Sequence, residues 1–172
     1  MDFKNLVQQR RSHRKFSDTA VSAEELHLIL RAALMAPTAM NRRAWHFYVT
    51  RDRRLLNQLA EAKKSGALML KEASVAVAIA CDPEEDGCWI EDCSIAAINM
   101  QYQAEELGLG SCWVEMRDHS RADGKPAEEA VREILSIREQ RVLCIVAIGH
   151  AADKKDAADE DKLKWNAVEM VE

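Results

Sequence analysis

The 172-residue sequence has little glycine, proline or aromatic side chain: six glycines, three prolines and 5% aromatic residues. This composition excludes collagen and Pro/Gly-rich low-complexity chains. No apolar run is longer than seven residues, whereas a membrane-spanning helix needs about 20. The N-terminal residues MDFKNLVQQRRSHRKF also lack the apolar core of a secretory signal. We therefore expect no membrane segment and a cytoplasmic location.

Cysteine is present, but not in a pattern that binds metal or builds a disulfide framework. The five cysteines are Cys81, Cys88, Cys93, Cys112 and Cys144, an odd number without a CxxC pair. Three of them lie inside apolar runs, where a thiol acts as a small hydrophobic side chain. The five histidines show no metal-ligand spacing either, so we expect no metal site.

Positive charge is scarce overall and concentrated near the N-terminus. The net charge is −5, yet residues 1–16 carry five basic side chains and one acidic side chain. An acidic protein is a poor general binder of nucleic acid. A small basic cluster in such a chain is more typical of a site for one anion. The competing interpretation, a nucleic-acid contact through RRSHRK, predicts strongly salt-dependent binding and no small-molecule ligand.

The apolar pattern predicts strands that alternate with helices. Apolar spacing and caps indicate helices over residues 22–34, 52–64, 89–107 and 126–137, with short helices near 6–11 and 67–72. Apolar runs indicate strands over residues 45–50, 74–81, 111–116 and 142–148, and from residue 151 we expect a polar, extended tail. This order predicts a single α/β or α+β domain over residues 1–172. The helix over 89–107 is apolar around most of its circumference, which predicts burial partly against a second subunit.

Three short segments are candidates for ligand binding. RRSHR at residues 10–14 places three guanidinium groups and a hydroxyl together, which suits a phosphate, although a solvated basic turn would look the same. APTAMNRRAW at residues 36–45 displays polar side chains between a helix and a strand. GLGSCW at residues 108–113 begins like a dinucleotide fingerprint but follows a helix and precedes a strand, which is the wrong order for one.

Taken together and in order, these segments resemble the small, single-domain members of the FMN-dependent nitroreductase family. The resemblance rests on RRSHRKFSD, APTAMNRRAW, AEELGLGSCWV and VLCIVAIGH, and on the closing segment KLKWNAVEMV at residues 162–171. It implies an α+β three-layer sandwich with a central mixed sheet, in an intertwined homodimer with FMN at the subunit interface. It also implies ping-pong hydride transfer from NADH or NADPH through FMN to nitroaromatic, quinone or related small-molecule acceptors.

The resemblance implies cofactor contacts in four segments. The FMN phosphate and ribityl chain would be held by Arg10, Arg11, Ser12 and Arg14. The flavin of the other subunit would be reached by Met35, Pro37, Thr38, Ala39 and Asn41. The polar edge of the ring would meet backbone groups of Trp113, Val114 and Glu115, and Lys162 would approach the phosphate. No catalytic acid or base is expected from the protein, because the flavin carries the redox chemistry.

Three positions depart from the family pattern. Arg43 and Ala44 stand where Gln-Pro is usual, and Arg43 would favour NADPH or an acidic acceptor. Glu115 stands where small or neutral residues are common, and a carboxylate near the ring would disfavour the reduced flavin anion unless it points away. Two alternatives stay open: a family member with a different flavin reaction, and a non-enzymatic flavin-binding protein.

Overall fold

Helices and strands alternate along the residues that the computed structural model describes, 1–85 and 87–171. The elements are α1 (Phe3–Gln9), α2 (Ala23–Leu34), β1 (Trp45–Thr50), α3 (Arg53–Ala60), β2 (Val75–Cys81), α4 (Trp89–Glu106), β3 (Gly110–Glu115), α5 (Ala127–Leu135) and β4 (Arg141–Gly149). Short 3-10 helices form at Leu68–Lys71, Glu160–Lys162 and Trp165–Ala167. The last two correct the expectation of a wholly extended tail.

Local sequence signals set the helix ends. Ser22 and Glu25 form a reciprocal capping box at the start of α2, so two amide groups without helical partners are satisfied. The Asp52 side chain accepts from two backbone amides at the start of α3. Gly108 follows α4 with φ of +75°, a left-handed conformation that glycine adopts without steric cost. Helix α5 begins one residue after Pro126, which is its N-cap.

The four strands form one sheet in the order β1-β2-β4-β3. All three strand pairs are antiparallel. Among the described residues, the one parallel contact is an isolated bridge between Ser12 and Ser111. The α+β class is therefore confirmed, and the expected mixed character of the sheet is limited to that bridge. Strands β1 and β3 are the two edges.

Helices cover both faces of the sheet, which makes the sandwich three layers thick. Alternate side chains of β2 and β4 point to opposite faces. One core packs around Leu56, Leu59 and Ile145 beneath α3 and α5, and the other around Ile29, Met100 and Ile148 beneath α2 and α4. The two apolar seven-residue runs are thus buried on both sides. Within the described residues, no helix combines the length and apolarity needed to cross a membrane.

Candidate functional site

The first part of the site is the basic segment of residues 10–14, here called the phosphate clamp. Helix α1 ends at Gln9, and the chain then runs along the outer edge of β3. Ser12 forms its parallel bridge with Ser111 there, and the His13 amide donates to the Ser111 carbonyl over 2.9 Å. The edge strand therefore fixes the backbone of the clamp.

Gly110 allows the clamp to approach β3 this closely. A Cβ atom placed on Gly110 would lie 2.9 Å from the Cβ of His13 and 3.0 Å from the Cβ of Ala151. These distances are well inside van der Waals contact, so a side chain here would push the two segments apart. Gly110, the second glycine of the GLGSCW segment, thus permits close packing of the chain at the clamp.

Residues 150–158, here called the return segment, cover the clamp from the other side. After β4 they run back along the N-terminal chain, where the Ala152 amide donates to the Lys15 carbonyl over 2.9 Å. The Arg11 guanidinium donates to the Asp156 carbonyl. The clamp is therefore held between an edge strand and a segment from the opposite end of the sequence.

A side-chain hydrogen bond joins the clamp to the return segment. His13 Nδ1 donates to Asp153 Oδ1 over 2.7 Å, and Asp153 Oδ2 accepts from the Arg14 amide and from Lys155 Nζ. Partial burial raises the pKa of the Asp153 carboxyl, but these donors outweigh it and hold the pKa below its usual value. Asp153 is therefore a fixed negative charge that orients the middle of the clamp.

Arg10 and Arg11 line a cleft of about 800 Å³ between α1 and the chain after β4. Lys162 lines the same cleft, and its Nζ lies 3.0 Å from Asp159 Oδ2. Ser12 and Arg14 continue the clamp along β3. Three cations and two acidic residues, Asp156 and Asp159, thus border the cleft, and its guanidinium groups have the donor geometry that suits a phosphate group.

The positive field of the clamp extends to β3. Burial raises the pKa of the Cys112 thiol, while Arg14, the Ser12 hydroxyl and Arg10 act in the opposite direction. These three opposing groups all belong to the clamp. The Asp153 carboxylate acts in the same direction as burial, so charges of both signs surround this thiol.

Alternation along β3 places two backbone amides beside the clamp. The Ser111 carbonyl faces the clamp, and the Met116 amide donates to the Leu143 carbonyl on the β4 side. Because backbone groups alternate in direction along a strand, the N–H groups of Trp113 and Glu115 face the outer edge. The Val114 N–H instead faces β4, which corrects the expectation that its backbone meets the ring. The outer edge therefore offers donors to a flat polar ligand, and Val114 contributes its buried side chain to the core.

The Glu115 side chain turns back along its own strand. Trp113 Nε1 donates to Glu115 Oε2 over 2.9 Å. The other carboxylate oxygen, Oε1, is buried and accepts no hydrogen bond within the described residues. Lys63 Nζ donates to the Glu115 carbonyl over 3.0 Å, and burial lowers the pKa of this lysine. Sequence reasoning did not identify Lys63, because it lies about 50 residues away in a polar stretch.

The second part of the site is the α2–β1 turn, residues 35–43. Met40, Asn41 and Arg43 all adopt left-handed φ angles of 52°, 56° and 55°. Such angles cost roughly 1–2 kcal/mol for residues with a side chain. Two hydrogen bonds oppose this cost, from the Arg43 amide to Thr38 Oγ1 at 3.1 Å and from Arg43 Nε to Asn41 Oδ1 at 2.9 Å.

The predicted site residues do not all meet within one chain. The α2–β1 turn leads into β1, one edge of the sheet, whereas the clamp lies on β3, the other edge. Met35 and Pro37 are exposed, and Thr38 and Ala39 are partly exposed. The turn therefore presents its side chains outward, away from the clamp of its own chain.

Comparison with known proteins identifies the family of this chain. The sequence model of the nitroreductase family matches residues 7–85 and 69–150. A provisionally named NADH dehydrogenase/NAD(P)H nitroreductase of Archaeoglobus fulgidus is 38% identical over 164 residues, which cover 91% of this chain and 89% of that protein. The chain belongs to the nitroreductase family.

Solved structures show the same fold. An FMN-dependent nitroreductase from Clostridium difficile R20291 superposes with a TM-score of 0.95 at 39% identity, and 98% of each chain is covered. A protein from Desulfovibrio desulfuricans, provisionally named a nitroreductase and solved in complex with FMN, has a TM-score of 0.78 at 23% identity. That match covers 97% of this chain and 95% of the other. The match to the Desulfovibrio desulfuricans protein shows a shared fold alone.

The residues present here fit FMN. A phosphate requires clustered donors, and Arg10, Arg11 and Lys162 border one cleft. A flavin ring requires donors along one polar edge, and the amides of Trp113 and Glu115 face outward along the free edge of β3. The buried Glu115 Oε1 additionally requires a donor that the described residues do not provide.

Proposed function

We propose that this chain is an FMN-dependent NAD(P)H oxidoreductase that acts on nitroaromatic, quinone or related small-molecule acceptors. The observation that carries the proposal is the phosphate clamp, fixed against the outer edge of β3 beside two outward amides. When bound, FMN supplies the hydride chemistry in a ping-pong sequence. The protein binds the phosphate through Arg10, Arg11, Ser12, Arg14 and Lys162, and its amides at Trp113 and Glu115 stabilise negative charge on the ring.

The proposal includes an intertwined homodimer of a single domain, residues 1–172, in the cytoplasm. The separation of the clamp and the α2–β1 turn supports it, because a second chain would bring Pro37, Thr38, Ala39 and Asn41 to the first chain's flavin. Apolar side chains left in water also support it. In the closing segment and around the turn, these are Leu34, Met35, Met40, Leu163, Trp165, Val168, Met170 and Val171.

The test is a visible absorption spectrum of the purified protein after FMN addition and desalting, followed by anaerobic titration with NADH and with NADPH. We expect a retained flavin spectrum that one or both nucleotides bleach, and reoxidation by a quinone. Retained flavin that neither nucleotide bleaches would favour the non-enzymatic flavin-binding protein. A folded protein without retained flavin would contradict the proposal and the assignment of the clamp.

A further inference from the structure

Asp92 connects α4 to the α2–β1 turn. It lies in the first turn of α4 and is only 4% exposed. Both carboxylate oxygens accept from the Ala39 amide, at 2.9 and 3.1 Å. A buried carboxylate requires hydrogen-bond donors that replace its lost water, and the Ala39 amide is such a donor. This contact therefore links two segments that are 53 positions apart.

The turn needs such a support because its backbone is unfavourable by itself. Three residues without glycine's freedom, Met40, Asn41 and Arg43, have left-handed φ angles. A conformation of this kind persists when the surrounding structure determines it. The Thr38 hydroxyl holds the end of the turn through the Arg43 amide, and Asp92 holds its beginning through the Ala39 amide. Residues 39–43, the part of the turn with left-handed φ angles, are thus fixed at both ends.

We propose that Asp92 is a positioning residue, whose buried carboxylate holds the α2–β1 turn in the conformation that presents Thr38 and Asn41 to the flavin of the neighbouring subunit. The flavin contact rests on the proposed function, whereas the hydrogen bond and its effect on the turn do not. The simpler role of an acid at a helix start is to complement the helix dipole. Glu91 also lies in the first turn of α4 but is exposed. A change at Glu91 therefore tests the helix-dipole role without affecting the contact with the turn.

The experiment compares full-length D92A, D92N and E91Q with wild type. The first readout is hydrogen–deuterium exchange of peptides covering residues 37–43. The second is the FMN dissociation constant from flavin fluorescence. D92A removes the acceptor, and we expect at least tenfold faster exchange in the turn and about tenfold weaker FMN binding, as for loss of a charge-assisted hydrogen bond. We expect KM for the acceptor to rise more than kcat falls.

The conservative variant tests the mechanism. The amide side chain introduced by D92N retains a neutral acceptor, so we expect about threefold faster exchange in the turn and recovery of most of the FMN affinity. E91Q is expected to match wild type in both readouts. If D92A does not fold, D92N against E91Q decides the question through exchange at residues 37–43.

Wild-type exchange in D92A, or in D92N when D92A is unfolded, would overturn the inference. Equal effects of E91Q and D92N would also overturn it, because they would assign the effect to the helix dipole. If wild type itself binds no FMN, the proposed function fails, and the exchange data still decide the role of Asp92.

Discussion

His13 and Asp153 are 140 positions apart in the sequence, yet the imidazole of one donates to the carboxylate of the other over 2.7 Å. This bond lies in the middle of the phosphate clamp and involves neither an arginine nor the cleft. Both side chains are mostly buried, with 12% and 15% of their surface exposed. Asp153, which follows β4 in the sequence, therefore orients the clamp through His13.

The Asp153→Asn change is expected to lower stability in a pH-dependent way. The pKa of Asp153 is lowered in the folded state, so its ionised form contributes stability above the unfolded pKa of about 4. That contribution is lost as pH falls through the lower folded pKa. We expect the Tm difference between wild type and D153N to be full near neutral pH and to vanish in strong acid. Exposed Asp156→Asn is the control, and an equal profile for both variants would contradict this role.

The Arg10→Gln change is expected to weaken FMN binding but not riboflavin binding. Riboflavin lacks the phosphate that the clamp is proposed to hold. Loss of a charged hydrogen bond costs roughly 1.5–3 kcal/mol, which corresponds to about a ten- to hundredfold higher Kd. Fluorescence titration with both flavins checks this, and exposed Arg54→Gln serves as the matched control. Equal weakening for both flavins would show that Arg10 does not recognise phosphate.

The Gly110→Ala change is expected to separate the clamp from β3. The added methyl group would meet His13 and Ala151 at about 3 Å, and overpacking of this kind costs about 1–3 kcal/mol. We expect a lower Tm and faster FMN dissociation. Gly87→Ala is the control, because a Cβ there meets nothing within 4 Å. If FMN dissociated from G110A and G87A at the same rate, close packing of the clamp against β3 would not be required for FMN binding.

The Arg43→Gln change is expected to reduce the preference for NADPH over NADH. Arg43 is exposed and its Nε is held by Asn41, so the guanidinium is a fixed positive charge at the α2–β1 turn. We expect the ratio of kcat/KM for the two nucleotides to shift about tenfold toward NADH, as for one lost charged hydrogen bond. Arg42→Gln is the comparison, since Arg42 bonds the Glu85 carbonyl instead. An unchanged ratio in R43Q would remove Arg43 from donor selection.

Replacement of Trp165 and Met170 by serine is expected to weaken the proposed dimer. These side chains are 71% and 88% exposed, and their burial against a second chain would contribute about 1.5–3 kcal/mol each. Light scattering should show a concentration-dependent monomer, with flavin lost in parallel. Glu169→Gln in the same segment is the control. A stable dimer of the double variant would place the interface elsewhere.

The sequence predicted elements well where one local signal sufficed. Strand β1 has the expected bounds, α2 begins at its capping box, and both apolar runs are buried strands. The predicted end of α3 was wrong, because the helix stops at Ala60 rather than near residue 64. Beyond Ala60, the Lys63 side chain donates to the Glu115 carbonyl of β3, and the Lys64 amide donates to the Ser120 carbonyl. Such tertiary contacts leave no periodic signal.

The site was predictable to a similar extent. Basic clustering indicated an anion site, and the structure brings Arg10, Arg11 and Lys162 to one cleft. The supporting residues were not predictable, since Asp92 resembles an ordinary acid at a helix start and Asp153 an ordinary acid in a polar segment. Their roles depend on partners 53 and 139 or more positions away. The cofactor contacts of the thirteen residues named from the sequence stay predictions.

The pairing of the clamp with the return segment has a consequence for the order of events during synthesis. Residues 10–17 emerge from the ribosome first, but Ala151, Ala152 and Asp153 emerge only after every strand of the sheet. Contacts with such large sequence separation form late, because a long loop must close before they stabilise the chain. A nascent chain therefore completes its sheet before the clamp closes against the return segment, and chains truncated within that segment would lack the contacts that hold the clamp in place.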